Sequence, residues 1–118
     1  MDWDNKIDRI KEELSERYSR ERLVTVFYKP TMVDKNYYDF SLDILKDTDL
    51  LAELSFGLNF SKRICFLYNI EVQDSVCKQG YGTKILTGLE NALKEVNFPD
   101  GLKTSCLRGL QAALNRLF

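Results

Sequence analysis

The chain has 118 residues, of which 44% are hydrophobic and 30% charged, and its 17 basic and 18 acidic side chains leave a net charge of −1. This length and balance describe one folded domain over residues 1–118 and exclude a disordered chain. They also provide no overall attraction to a nucleic acid backbone. No run approaches the ~20 apolar residues that cross a bilayer, and the opening MDWDNKIDRIKEEL is too charged for a signal peptide. A cytoplasmic protein with neither nucleic acid nor membrane as partner is expected.

The first element is a helix. Trp3, Ile7, Ile10, Leu14 and Tyr18 recur at helical spacing among charged residues, with Asp2 as a cap. The narrow stripe is expected to cover a sheet rather than form a dimer seam, because the repeat is short.

Four strands follow. Leu23 to Lys29 is rich in β-branched and aromatic residues and stops at Pro30, which has no N–H for a ladder. After a polar connection, Tyr38, Phe40, Leu42 and Ile44 alternate with Asp39, Ser41 and Asp43, the period of a strand with one wet face. The turn Lys46-Asp47-Thr48-Asp49 leads to Ala52, Leu54, Phe56, Leu58 and Phe60, alternating with Glu53, Ser55, Gly57 and Asn59. Ser61-Lys62-Arg63 turns into the fourth strand, from Ile64 to Val72. Connections this short require antiparallel neighbours, since a parallel pair needs a crossover of a dozen or more residues.

The fourth strand is apolar on two faces. Ile64, Phe66, Tyr68, Ile70 and Val72 share one parity, and Cys65 and Leu67 begin the other, which Asn69 and Glu71 interrupt. A central strand covered on both sides is expected, with that polar pair either wet or functional.

A polar loop then reaches Gly80 and Gly82, and Ile85, Leu86, Leu89, Ala92, Leu93 and Val96 form a helical stripe with Gly88 off that face. Backbone N–H groups at a glycine-rich helix start make an anion site. Neither common phosphate-binding loop fits: the position three after Gly82 is Ile85, the strands before it are antiparallel, and no G-x-x-x-x-G-K-[ST] occurs. Residues 102–106 read as a short strand, and Leu107, Leu110, Leu114 and Leu117 as a last helix.

Cys65, Cys77 and Cys106 are odd in number and share no C-x-x-C spacing. With no histidine in the chain, neither a disulfide framework nor a zinc site is expected, and a histidine-based triad is excluded. A proton acceptor has to be a carboxylate, tyrosine, cysteine, lysine or water.

Antiparallel strands, a central strand ending in Ile70-Glu71-Val72, a loop to Gly80-Tyr81-Gly82-Thr83 and a long amphipathic helix together resemble the acetyl-CoA-binding core of the GNAT superfamily of N-acetyltransferases. The family pattern R/Q-x-x-G-x-G/A falls on Cys77-Lys78-Gln79-Gly80-Tyr81-Gly82: both glycines match, Cys77 stands at the Arg/Gln position, and Gln79 comes two positions late. The resemblance is clear over residues 64–96, with a looser order of elements elsewhere.

It implies an α+β fold, a mostly antiparallel sheet flanked by helices and lacking the family's last strands. It also implies acetyl-CoA or coenzyme A as cofactor, with the Ile70, Glu71 and Val72 backbone pairing with the pantetheine arm. Cys77, Lys78, Gln79, Gly80, Tyr81, Gly82 and Thr83 would hold the pyrophosphate, and Lys78 or Lys84 would add charge. The acetyl group would lie where the central strand splays from the strand at 102–106.

The family's glutamate six residues before Val72 is replaced by Phe66, so Glu71 and Glu53 are the candidate bases. The tyrosine that many members use to protonate the thiolate has no counterpart in residues 107–118. Two readings follow: an N-acetyltransferase acting on a small-molecule or protein amine, and a non-catalytic acyl-CoA-binding or interaction module, for which a homodimer that covers its unfinished sheet edge is one form.

Overall fold

A computed structural model describes residues 3–73, 80–96, 98, 102 and 103. In chain order these form α1 (Trp3–Ser19), β1 (Leu23–Phe27), β2 (Thr31–Asp34), β3 (Tyr37–Lys46), β4 (Asp49–Asn59), β5 (Ile64–Val72), α2 (Tyr81–Glu95) and β6 (Leu102–Lys103). The fold is α+β, and among the described residues no helix is long and apolar enough to cross a membrane. Asp2 and the segment expected as a last helix lie outside the described residues.

The sheet runs β1-β3-β4-β5-β6, with β2 beside β1 along the same edge of β3. Every pairing is antiparallel except β5 with β6, which α2 connects as a crossover. β2 lies in the connection that the sequence leaves without a strand. Its four residues are all exposed, so no alternation marks it; its pairing with residues 37–39 makes it a strand. Asn36 and Asp47 turn the chain at positive φ (70° and 58°), where Asn and Asp are better tolerated than other side chains.

The expected alternation of β3 and β4 is the observed one. Phe40, Leu42, Ile44, Ala52, Leu54, Phe56 and Leu58 point into the core, and Phe40 stacks on its cross-strand partner Phe56 at 5.2 Å between ring centroids. Both helices cover this one face. Ile7, Ile10, Leu14 and Tyr18 of α1 and Ile85, Leu89, Ala92 and Leu93 of α2 belong to the same buried cluster. From Ile7 to Tyr18 the stripe of α1 is therefore buried within its own chain, as its short repeat suggests.

Tyr18 links the helices. Its ring packs over Gly88, and its hydroxyl donates to the Ile85 carbonyl at 2.7 Å. Burial pushes this phenol well above the ordinary tyrosine range. Unfolded tyrosines ionise near pH ~10, whereas Tyr18 stays protonated in the fold, so the native state binds more protons above that pH. Its contribution to stability is complete below about pH 10 and falls as pH rises further. In urea titrations from pH 8 to 11, the wild type is expected to lose stability more steeply above pH 10 than Tyr18→Phe; parallel curves would contradict this.

Candidate functional site

The site is built on a bulge in β5. Leu67 pairs with Phe56 and Asn69 with Ser55, so Tyr68 is an extra residue without a partner on β4. One inserted residue reverses the parity of everything after it. Ile70 and Val72 therefore join Cys65 and Leu67 in the core, while Ile64, Phe66, Tyr68, Asn69 and Glu71 face outward. This corrects the expected grouping of Ile64, Phe66, Tyr68, Ile70 and Val72, and Asn69 and Glu71 lie on the wetter side. Cys65 is buried, which pushes its thiol up and keeps it in the unreactive protonated form.

The bulge also marks a change at the strand's edge. β6 pairs only with Cys65 and Phe66, so from Leu67 to Val72 the edge away from β4 has no strand beside it among the described residues. Among the described residues the backbone groups along that edge have no strand partner, the arrangement that an extended segment or ligand can pair with.

The glycines lie at the start of α2. Gly80 is the N-cap at φ +85°, a left-handed conformation that favours glycine, and no atom of the described residues lies within 4 Å of where its Cβ would stand. The first helical bond runs from the Lys84 N–H to the Gly80 carbonyl, and among the described residues no side chain caps the helix. The N–H groups of Tyr81, Gly82 and Thr83 thus point out of the helix without intrahelical acceptors, at its positive end.

Two lysines flank this terminus. Lys46 donates to the Tyr81 hydroxyl at 2.6 Å, a bond that raises the Lys46 pKa, and its ammonium lies 5.2 Å from the Tyr81 ring centroid. Lys84 stands 5.5 Å from the same centroid and 3.3 Å from the Glu21 carboxylate. Two positive charges beside a row of outward N–H groups favour an anion.

Carboxylates collect on the outer face. Asp43 pairs with Glu53 across β3 and β4, and Glu53 with Glu71 across β4 and β5, a row of three acids spanning three strands. Like charges placed opposite each other cost stability, and a cation lying against them relieves that cost. Tyr28 donates to Asp43 at 2.7 Å.

Further along this face, the Tyr68 and Tyr37 hydroxyls are hydrogen-bonded above Gly57, the only residue type that leaves them room. Partial desolvation and hydrogen bonding to Tyr37 and Asp39 push the Tyr68 phenol up. Tyr68 thus leans over β4 and away from the open edge of β5.

Of the residues singled out in the sequence, Glu53 and Glu71 are brought together as a cross-strand pair. Ile70, Glu71 and Val72 lie on the open edge, and Gly80, Tyr81, Gly82 and Thr83 start α2. Cys77, Lys78 and Gln79 lie outside the described residues. Sequence reading passed over Lys46, which a hairpin carries to a residue 35 positions away, and Asp43, which strand register adds to the acidic row. Comparison with family models, curated proteins and solved structures returned no match.

Proposed function

We propose that the protein is a GNAT-like N-acetyltransferase that moves an acetyl group from acetyl-CoA to a primary amine by direct attack. The observation that carries this reading is that, among the described residues, the edge of the bulged β5 beyond Phe66 has no strand partner and is followed in the chain by a helix whose first N–H groups are uncapped and whose N-cap glycine has no neighbour at its Cβ position. An extended amide-bearing arm matches the edge, and a pyrophosphate matches the helix start.

The residues present fit that cofactor. The Ile70–Val72 backbone holds the pantetheine arm, the Tyr81, Gly82 and Thr83 N–H groups hold the pyrophosphate, and Lys46 and Lys84 add positive charge. When bound, acetyl-CoA supplies a thioester: the amine nitrogen bonds to its carbonyl carbon, the C–S bond breaks, and the sulfur leaves as thiolate. Backbone N–H groups of β5 would be the donors available to a thioester carbonyl bound along this strand. Asp43, Glu53 and Glu71 draw a cationic acceptor to the outer face. Glu71, next to the open edge, takes the amine proton, directly or through water, with Glu53 beside it.

Release of free thiol with a panel of amines tests this reading. Turnover is expected with at least one amine, and Glu71→Gln is expected to lower kcat about 100-fold while coenzyme A binding is kept. The alternative is a non-catalytic acyl-CoA-binding module, favoured by the direction in which Tyr68 leans, away from the leaving group. A flat trace for every amine in a protein that binds coenzyme A would select it.

A further inference from the structure

A second site stands at the other end of the helix pair. α1 and α2 are antiparallel, so Tyr18 meets Ile85 near the start of α2 while Arg9 meets Glu95 at its end. Between the latter end and the β4–β5 turn lies a pocket of ≈ 150 Å³. Its apolar wall includes Ile10, Phe60 and Phe98, and the two phenylalanines pack edge to face at 5.9 Å and 71°. Both are buried and anchored by backbone bonds of 2.8 Å, Phe60 to Asn36 and Phe98 to Leu93.

Among the described residues that line it, the charged ones are Lys6, Arg9 and Arg63, of which the two arginines matter here. Arg63 is held at the tight turn at φ 56°, and Arg9 donates one of its N–H groups to the Glu95 carbonyl at 3.3 Å. A guanidinium carries five donors, so that single bond leaves Arg9 able to pair with an anion as well.

We infer that this pocket binds a small organic carboxylate with an apolar ring or short chain. A pocket of this size with one apolar wall accepts about one benzene-sized body, and two arginines lining it match a carboxylate better than a neutral polar head. The apolar wall takes the body, and Arg9 and Arg63 take the head. The site is independent of coenzyme A binding.

The test is a titration of the full chain with benzoate, followed by NMR of the Phe60 and Phe98 ring signals, with benzamide as the neutral match in shape. Saturable shifts are expected with benzoate at a dissociation constant below about 1 mM, with benzamide at least about tenfold weaker. Arg63→Gln, shown to be folded by circular dichroism, is expected to weaken benzoate about tenfold or more and to leave coenzyme A affinity unchanged. The inference is overturned by shifts that do not saturate, by equal affinity for benzamide, or by unchanged benzoate affinity in both Arg63→Gln and Arg9→Gln.

Discussion

Replacing Gly82 with valine is expected to weaken coenzyme A binding about 100-fold, or about 2.7 kcal/mol, while α2 persists. Gly82 is the second residue of that helix, buried in its first turn between Tyr81 and Thr83. Glycine leaves the backbone at the helix start open to close approach, and a branched side chain at Gly82 crowds the N–H groups that the proposed anion needs. Gly82→Ala adds a smaller group and is expected to fall between wild type and valine. Calorimetry gives the affinities, and circular dichroism and thermal unfolding report whether the helix is kept. Wild-type affinity in a folded Gly82→Val protein would rule out the start of α2 as the phosphate site.

Gly88→Val is expected to destabilise the fold by about 1–3 kcal/mol through overpacking. A Cβ at Gly88 would lie 2.7 Å from Cε1 of Tyr18. That ring cannot swing aside cheaply, because it is buried and its hydroxyl is bonded to the Ile85 carbonyl. The helices would have to separate, loosening the packing of Leu14 and Leu89. Gly88→Ala makes the same contact but regains roughly 0.8–1 kcal/mol of helix propensity, so its loss should be smaller. Urea unfolding measures both, and a valine variant as stable as wild type would show that the helices are not in this contact.

The two variants separate two kinds of glycine, and the sequence distinguished them in part. Gly88 stood off the apolar stripe of its helix, which already suggested close packing by another element. Gly80 and Gly82 stood before that stripe, and both fall at the start of α2. The stripe of α1 and the alternation of β3 and β4 were equally plain, because each buries one face at a fixed period.

The bulge in β5 was hidden. Apolar residues occupy both parities of ICFLYNIEV, so the sequence reads as a strand covered on two sides, and only the pairing of Leu67 with Phe56 and Asn69 with Ser55 reveals the extra residue. β2 was hidden for the opposite reason, since it buries nothing. Lys46 and Asp43 join their neighbours through hairpin geometry and strand register, which composition and spacing do not encode.

The central claim is that the β5 edge and the start of α2 hold coenzyme A. Isothermal titration of the full chain with acetyl-CoA and with coenzyme A tests it most directly. Saturable binding with a dissociation constant of about 1–100 μM is expected for both, corresponding to roughly 5.5–8.2 kcal/mol. No binding heat at about 1 mM of either ligand, in protein shown to be folded, would contradict it.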